Sequence, residues 1–486
     1  CLAGLATAEN RVRDLARQYG YDTIDRTIDQ VLDYAETQAR RVIEHVPDGT
    51  YHYADYIEAD MVGLGLVRIK VAMTIDGGEM LLDFTGTAPQ VRAALNIPTY
   101  SHDGHWMLIT GLVNWVCTQE PNIAYNAGLV RPMKVQIPRG TILNPEPGAA
   151  YGARYATSHK VCDVTVGALA QAVPDELPAT DSGQGSILLV SVPDFQTGGD
   201  KVSVIQPIVG GSGGRPMDDG VDGTMVILNF LKNIPTEIFE NEMPEILIHH
   251  YGLRDDSGGA GRYRGGTGIE IEFETSSPYT SITSRCMERY LFGPPGLKGG
   301  EAGATGYTLF KPRGGDQQDI GKIDVLNMDP GDRLKIGTQG GGGYGDPLER
   351  PTDAVADDVA NGFVTAATAR DAYGVVIGED GASDPAATDA ARESMRKARG
   401  WTEPPLHGFD VARRDHLARW PSALEDALTV AVADLPVQLM QFMHARLLDE
   451  ISARLDRGEA VSPEDVLALA GEHRDAFESG HALAAE

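Results

Sequence analysis

The sequence predicts an α+β protein: a glycine-rich, β-rich core with two helices before it and a helical region after it. The chain has 486 residues, of which 57 are glycine, and so many glycines indicate frequent turns between short strands. Apolar residues alternate with polar ones in the middle of the chain and recur at helical spacing at both ends. The length suits two or three domains. We divide it into N-terminal helices (1–49), a β-rich core (50–350), a helical part (351–399) and a helical tail (400–486).

The N-terminal elements are predicted from periodicity. Apolar residues at helical spacing over residues 9–46 predict two helices, and Gly20 is expected to end the first, as a glycine after the last turn often does. A β-hairpin follows. Residues 67–75 alternate between apolar and polar, a turn sequence occupies 76–78, and residues 80–84 form the second strand.

Later elements follow the same two patterns. Residues 269–274 alternate between apolar residues and glutamate, which predicts a strand with one acidic, solvated face. In the tail, Ser462 is followed by proline and two acids, a typical helix start. Helices are predicted over residues 106–116, 164–173, 353–376, 386–399, 422–432, 436–456 and 463–478.

Charge and cysteine usage exclude several classes of protein. The formal net charge of −29 argues against binding to nucleic acid and to anionic membrane surfaces, because both need basic surface. No apolar run approaches the roughly 18 residues of a membrane-spanning helix. The four cysteines are far apart and form no CxxC pair, which favours reduced thiols and a cytoplasmic location.

The strongest candidate for a functional site is the glycine-rich stretch 210–268. Its first loop, 210–215, ends in Arg215 and an acidic turn, and its second loop, 256–266, carries Arg262 and Arg264. One interpretation is a pocket with backbone walls and arginine charges; the other is a set of tight turns between strands. Since sites usually lie on loops with convergent polar groups, the clusters together favour a site.

Other local motifs have two interpretations each. Glu237 and Glu240, between the glycine loops, are an acid/base pair or two solvated carboxylates. His102 and His105, with Asp103 between them, are metal ligands or residues that decorate a helix start. His159 and Cys162 are a nucleophile pair or core residues.

Two further motifs bear on catalysis. Cys1 is considered as an N-terminal nucleophile, but no base or oxyanion partner is identifiable near it in the sequence. The chain contains no GxxxxGK[ST] loop, so no Walker-type ATP site is predicted. We therefore expect that this chain alone does not hydrolyse ATP.

With these motifs in order, the chain resembles the hydantoinase B/oxoprolinase family over roughly residues 5–395. The matching elements are Asp83-Phe84-Thr85-Gly86-Thr87 with Pro89 and Asn96, the loop 210–223, Pro235 with Glu237, Glu240 and Pro244, the loop 256–268, and the closing run 340–347.

The resemblance implies a function. Family members are subunits of ATP-dependent enzymes that open hydantoins, 5-oxoproline and related lactams, or that carboxylate acetone or acetophenone. A hydantoinase A-like partner subunit binds ATP and Mg²⁺. The expectation is therefore the non-ATP-binding subunit of a cyclic amide hydrolase in a hetero-oligomer. The alternatives are a subunit of a ketone carboxylase and a scaffold whose chemistry lies in its partner.

The interpretation of the glycine loops as a pocket, taken together with the quoted motifs, suggests the site residues. The catalytic candidates are Asp83, Glu237, Glu240, Arg262 and Arg264. The candidates for binding the small-molecule substrate are Gly213, Gly214, Arg215, Asp222, Ser257, Gly258 and Gly259.

The chain departs from the family pattern in two places. The family has a further N-terminal region with an Asp/His-rich metal segment, so zinc or manganese is expected through a segment outside this chain, and no metal ligand is assigned within it. The tail from about residue 400 has no match that we can place. Its apolar stripes predict that residues 400–486 pack against another subunit or a second copy and not against the β-rich core.

Overall fold

The computed structural model describes residues 1–58, 65–225 and 234–478, and it opens on two helices, α1 (Leu2–Tyr19) and α2 (Tyr21–Ile43). Gly20 separates them with a φ of 83°, in the left-handed region that glycine adopts without strain. The C-terminal half of α2 is buried against the core, whereas α1 is exposed along nearly its full length. The predicted helix pair and the helix end at Gly20 are confirmed.

A first sheet follows, covered on one face by helices. Its elements in chain order are β1 (Gly49–Glu58), β2 (Leu66–Asp76), β3 (Glu79–Asp83), α3 (Trp106–Gln119), β4 (Met133–Gln136) and α4 (Arg154–Leu169). The strands lie in the order β1-β2-β3-β4; the first two pairs are antiparallel and β3 pairs with β4 in parallel. Met73 lies opposite Leu82 in the β2–β3 hairpin, as the alternation predicts.

Helix α4 begins ten residues before the predicted helix 164–173. The prediction places its start wrongly because α4 is buried on nearly every face. A helix without a solvated side has no polar stripe from which periodicity can be read.

The middle of the chain forms two antiparallel sheets that share one apolar core. Their elements are β5 (Gly185–Asp194), β6 (Gly199–Val209), α5 (Thr236–Glu242), β7 (Ile246–Leu253), β8 (Ile269–Thr275), β9 (Thr280–Arg285), β10 (Gly296–Leu297), β11 (Tyr307–Lys311), β12 (Gln318–Asp319), β13 (Val325–Met328) and β14 (Arg333–Gly337). One sheet has the order β13-β9-β5-β6 and the other β12-β11-β14-β8-β7. Residues from both, such as Val190 and Phe273, belong to one buried cluster. The predicted β-rich core is confirmed.

The glycine runs pack backbone against backbone. A Cβ on Gly341 would lie 1.9 Å from the carbonyl oxygen of Ser212, and one on Gly265 would lie 2.0 Å from that of Gly341. The amide of Gly341 donates to the carbonyl of Gly266 at 2.9 Å. These three segments therefore lie closer together than side chains allow, and glycine is required there for packing.

The C-terminal part is helical, as predicted. It contains α6 (Thr352–Ala360), α7 (Ala366–Asp371), α8 (Pro385–Arg399), β15 (His407–Gly408), α9 (Val411–Arg419), α10 (Ser422–Val432), α11 (Val437–Asp456) and α12 (Pro463–Glu478). Helices α10 to α12 bury their apolar stripes on one another in a cluster of their own. The amide of Asp465 donates to the Ser462 hydroxyl at 3.2 Å, and the amide of Ser462 donates to Asp465 at 2.8 Å. This reciprocal cap confirms the predicted start of α12.

The tail nevertheless docks on the core, so the expectation that it packs elsewhere is wrong. Strand β15 pairs with β10, and Asp426 on α10 accepts from Arg68 and Lys70 on β2, both at 2.7 Å. Arg413 on α9 is buried against β1. Ion pairs between segments hundreds of residues apart leave no trace in amphipathic periodicity, which explains the error. A role of the tail in subunit assembly stays a prediction.

Across the described ranges, 1–58, 65–225 and 234–478, no helix is both long and apolar enough to cross a membrane.

Candidate active site

A cavity of about 590 Å³ lies where α3 and α4 meet two loops. Helix α3 contributes Trp115, α4 contributes Asp163, and the loops are residues 175–181 and 215–218. Cavities of this size hold small-molecule ligands, particularly where apolar walls carry a few polar groups. The lining residues are Gly111, Asn114, Trp115, Thr118, Gln119, Cys162, Asp163, Val166, Asp175, Glu176, Leu177, Pro178, Ala179, Thr180, Asp181, Arg215, Pro216, Met217 and Asp218.

The first glycine loop, residues 210–215, is hydrogen-bonded to the segment 175–182, of which residues 175–181 form one wall of this cavity. The amide of Ala179 donates to the carbonyl of Gly214 at 2.8 Å, and the amide of Ser182 donates to that of Gly211 at 2.9 Å. Between these bonds, a Cβ on Gly213 would lie 1.8 Å from the carbonyl oxygen of Ala179. The loop therefore fixes the position of the wall 175–181, while Arg215 at its end reaches the cavity itself.

Beneath the cavity, α4 carries ionisable residues into the core. The Nη2 atom of Arg289 donates to Oδ2 of Asp163 and to Oδ2 of Asp55, each at 2.7 Å. The Nζ atom of Lys160, which is completely buried, lies 3.4 Å from Asp55 Oδ2 and 3.8 Å from Asp163 Oδ2. Two carboxylates thus share two cations away from water, where an unpaired charge is costly.

The two carboxyls respond differently to these surroundings. Burial works against ionisation of Asp55, but Arg289, Lys160 and Arg413 together hold its pKa well below the ordinary value. Burial raises the pKa of Asp163 to about 7; Arg289 and Lys160 lower it, and the charges of Asp181 and Asp55 raise it. Arg289 and Lys160 face Asp163, whereas Arg413 also faces Asp55. Asp163 is therefore the carboxyl in the cluster that can take up and release a proton near neutral pH.

The neighbouring His159 and Cys162 remain neutral. Burial raises the pKa of the Cys162 thiol well above its ordinary value, so the reactive thiolate is disfavoured. Burial also lowers the pKa of His159 to about 4, and neither ring nitrogen has a hydrogen-bond partner in the described part of the chain. The geometry therefore supports the interpretation of this pair as core residues.

The two loops that line the cavity carry further carboxylates. Glu176 accepts from the Trp115 indole and bonds to His45, both at 2.9 Å. At the rim, Arg215 forms an ion pair with Asp218 at 3.0 Å. Among the described lining residues, Arg215 is the one cationic side chain, against Asp163, Asp175, Glu176, Asp181 and Asp218. Three of these acids have cationic partners, since Asp163 pairs with Arg289, Asp175 with Lys298 and Asp218 with Arg215. The lining still carries more acidic than basic side chains, which favours a neutral or positively charged ligand over an anionic one.

The predicted carboxylate candidates lie outside the lining. Glu240 on α5 accepts from the amide of Ile248 at 2.7 Å, and Glu237 is exposed on the same short helix. Asp83, at the end of β3, accepts from the amide of Thr85 at 2.8 Å. Glu240 and Asp83 bond to nearby backbone, and the structure does not bring these three acids together.

The arginine candidates are also separated. Arg264 is 3% exposed and pairs with Asp222 at 2.9 Å and Asp358 at 3.6 Å, with its guanidinium 4.9 Å from the Phe363 ring centre. Arg262 is exposed and stacks on a tyrosine. The contacts of Arg264 and Asp222 are those of a buried structural ion pair, while a role in binding an intermediate stays a prediction.

The remaining binding candidates belong to the glycine packing. A Cβ on Gly258 would lie 2.0 Å from the Gly265 carbonyl oxygen, and one on Gly259 would lie 2.3 Å from that of Glu301. Ser257 is fully buried, and its hydroxyl donates to Arg254 at 2.6 Å and accepts from Gly268. Of the predicted binding residues, Arg215 is the one that the structure places in the described lining of the cavity.

Sequence reasoning missed Asp55, Lys160, Asp163 and Arg289 as a functional group. Lys160 and Asp163 were visible as an i, i+3 pair, and they are the two Asp, Glu, Lys or Arg residues between positions 155 and 174, an isolation that suggests paired charges. Asp55 and Arg289 lie far away in sequence, and only the fold brings them to α4.

The described residues do not fit a bound metal. No three His, Cys, Asp or Glu side chains among them converge as a ligand set. Asp103, between His102 and His105, instead accepts from the amide of Val135 at 2.9 Å. A divalent metal site is therefore not assigned to these residues.

The fold and the sequence define the class of protein. The profile described as hydantoinase B/oxoprolinase matches residues 1–347, and the chain belongs to this family. It is 31% identical to the caprolactamase subunit beta of Pseudomonas jessenii over 403 residues, which is 80% of this chain and 67% of that protein. The resemblance to this family and the predicted α+β fold are thereby confirmed.

Solved structures give the same result. The crystal structure of ATP-dependent caprolactamase from Pseudomonas jessenii matches with a TM-score of 0.67 and 29% identity, over 80% of this chain and 67% of that chain. A nucleotide-free structure of acetone carboxylase matches with a TM-score of 0.68 and 18% identity, over 94% of this chain and 66% of that chain, which is a likeness of fold. The part of the chain that this second match leaves out is shorter than the region 400–486. The likeness of fold therefore extends into the helical tail.

The chain spans 64% and 67% of the length of two bacterial relatives, and 26% of the longer 5-oxoprolinase 1 of Arabidopsis thaliana.

Proposed function

We propose that this chain is the substrate-cavity subunit of an ATP-dependent hydrolase that opens cyclic amides, and that it works with a hydantoinase A-like, ATP-binding partner. The observation that carries the proposal is Asp163: a carboxyl that lines a ligand-sized cavity and whose pKa burial raises to about 7. A group of this pKa can both donate and accept a proton at neutral pH.

Hydrolysis of a lactam needs such a group. Water adds to the carbonyl carbon and the C–N bond breaks. The attacking water must therefore lose a proton, and the ring nitrogen must gain one. As a carboxylate, Asp163 accepts the proton of the attacking water; as a carboxylic acid, it returns that proton to the leaving nitrogen. Arg289 and Lys160 hold the carboxyl in place below the cavity.

The division of labour with a partner rests on family membership and on the sequence. Names of relatives describe ATP dependence and subunits, and this chain contains no Walker-type loop. ATP, bound with Mg²⁺ at the partner, would transfer its terminal phosphoryl group to the unreactive amide oxygen with release of ADP, and this group would leave as phosphate when the ring opens. The four cysteines are free, which suits the reducing cytoplasm.

The cavity's charge indicates which cyclic amides fit. Its described carboxylates outnumber Arg215, which is itself paired with Asp218. A ring that carries its own carboxylate, as 5-oxoproline does, would meet net repulsion, whereas a neutral lactam or hydantoin would not. We therefore assign neutral cyclic amides as the substrate class.

A ketone carboxylase is the second candidate. It is favoured by the fold likeness to acetone carboxylase, which reaches into the helical tail where the family profile, ending at residue 347, does not. A scaffold role is the remaining alternative and is an outcome of the same experiment.

The test is reconstitution with the co-purifying ATP-binding partner. Release of ADP should require a neutral lactam or hydantoin and should yield the ring-opened amino acid in equal amount, with 5-oxoproline at least about 10-fold poorer in kcat/KM, a difference of roughly 1.4 kcal/mol. The pure subunit should not hydrolyse ATP. Consumption of ATP that depends on bicarbonate and a ketone would establish the carboxylase instead. Unchanged lactam hydrolysis by a complex that carries Asp163→Asn would overturn the role of Asp163 and favour the scaffold.

A further inference from the structure

The helical tail places one cation inside the core. Arg413, in the first turn of α9, is 3% exposed, and its Nη1 atom donates to Oδ1 of Asp55 at 3.0 Å. Its Nη2 atom donates to the carbonyl of Ala54 at 2.9 Å, and its guanidinium lies 4.3 Å from the ring centre of Tyr56. Asp410 accepts from the Arg413 amide at 2.7 Å and so fixes the start of the helix.

Asp55 connects this arginine to the cavity. One carboxylate oxygen of Asp55 faces Arg413, and the other faces Arg289 and Lys160. The same Nη2 atom of Arg289 also bonds to Asp163. How strongly Asp55 draws on Arg289 and Lys160 therefore decides how much of their positive charge is available to Asp163.

We propose that Arg413 is a positioning residue for the proposed reaction: by pairing with Asp55, the helical tail sets the protonation state of Asp163 at the cavity. The proposal rests on the role of Asp163 in cyclic amide hydrolysis. The proposal gives the tail a function within its own chain. Helix α9 lies beyond residues 1–347, the region matched by the family profile.

The other groups around Asp163 do not supply this coupling. Cys162 and Asp181 lie near it on the cavity side, and Tyr53 faces it from β1. The ring of the tail's His407 packs at a tilt against that of Tyr53, with the ring centres 4.8 Å apart, but burial lowers the pKa of His407 to about 4, so it is neutral at physiological pH. Arg413 is therefore the charge by which the described tail reaches the cluster.

The test follows the titration of Asp163 in the folded full-length chain, by NMR of carbon-13-labelled aspartate carboxyls, with Asp163→Asn to assign the signal. In Arg413→Gln, the midpoint should rise by about half to one pH unit, less than the effect of removing a directly adjacent cation. Arg413→Lys keeps the charge but not the ring contact or both hydrogen bonds of the guanidinium, so it should raise the midpoint by less than Arg413→Gln does. Asp426→Asn, which removes a tail–core ion pair that does not touch Asp55, should leave it unchanged.

A second variant keeps the test decisive if Arg413→Gln does not fold. Asp55→Asn removes the competing carboxylate and frees Arg289 and Lys160, so the midpoint should fall instead of rise. An unchanged midpoint in either folded variant would overturn the proposal. In the reconstituted complex, the limb of the pH–activity profile that reports Asp163 should move in the same directions. A complex that opens no cyclic amide would overturn the proposed function, while the titration would still decide the role of Arg413.

Discussion

The guanidinium of Arg289 donates a 2.7 Å hydrogen bond to Asp163, yet the pKa of Asp163 is raised to about 7. Burial accounts for the direction, because the charged form loses its hydration and the nearby Asp55 already occupies much of the available positive charge. The arrangement keeps a carboxyl fixed in one orientation while leaving its proton mobile at neutral pH.

Substitution of Asp163 by asparagine should lower the turnover of cyclic amides by about 100-fold or more, since the variant keeps the shape but not the proton transfer. Steady-state assays of the reconstituted complex measure this. Asp358→Asn is the matched control: Asp358 is also buried, paired with Arg350 at 2.8 Å, and raised in pKa by burial, but it lies outside the described cavity lining. Activity of Asp163→Asn within about threefold of the parent would contradict the assignment.

The same carboxyl should make stability depend on pH. Burial raises the pKa of Asp163 from 3.8 to about 7, so between these values the folded chain holds a proton that the unfolded chain releases. Its stabilising contribution is complete below pH 3.8 and is lost as the pH rises through 7, by up to about 1.4 kcal/mol per pH unit.

Urea unfolding at pH 5 and pH 7 tests this dependence. From pH 5 to pH 7, the parent should lose up to about 3 kcal/mol relative to Asp163→Asn, which has no proton to release at this position. Parallel changes in the two proteins would show that Asp163 titrates normally in the folded state.

Gly213 should tolerate no side chain. A Cβ there would lie 1.8 Å from the carbonyl oxygen and 2.4 Å from the carbonyl carbon of Ala179, in the cavity wall. Gly213→Ala should therefore displace the wall, with a cost of about 3 kcal/mol or more in unfolding free energy and a raised KM. Gly152→Ala, whose Cβ would meet its nearest neighbour at 3.8 Å, is the control. Equal stability of the two variants would show that the wall yields easily.

Arg264 should matter for stability more than its exposed neighbour does. Arg264→Ala removes the buried cation paired with Asp222 and one of the two that face Asp358, whose other partner is Arg350, and should cost about 3 kcal/mol. Arg262→Ala should change stability by no more than about 0.5 kcal/mol, because its partner Glu349 lies 3.8 Å away at the surface. Chemical unfolding compares the two. If folded Arg264→Ala keeps its stability but loses activity, the sequence-based prediction that this arginine holds an anionic intermediate would stand.

Local structure was largely predictable because local forces decide it. The β2–β3 hairpin follows from alternation around a glycine turn, and α10 begins and ends at the predicted residues 422 and 432. The reciprocal cap of Ser462 and Asp465 involves only residues within four consecutive positions, so it can be predicted from local sequence. Helix α9 escaped prediction because its short sequence is rich in arginine and carries no clear apolar stripe.

The glycine loops show where sequence reasoning reaches its limit. The density of glycine between 210 and 268 indicated close approach of backbone, and the structure contains it, but the approach is of one loop to another. A sequence cannot show what lies opposite a glycine. The sequence therefore suggested a site within the glycine loops. In the structure, the cavity instead lies beside the wall 175–181, which the first glycine loop supports.

The sequence by itself determined the family, the α+β class and the bounds of several helices and one hairpin, since motif order and periodicity are properties of neighbouring residues. Only the tertiary structure decided the candidate chemistry. Asp55, Asp163, Arg289 and Arg413 come from β1, α4, the segment after β9 and α9, and each would be an ordinary solvated charge if it lay alone on the surface. The altered pKa values of Asp55, Asp163 and Arg289 arise from burial and from hydrogen bonds of about 3 Å within this cluster, which exist only once the chain has folded.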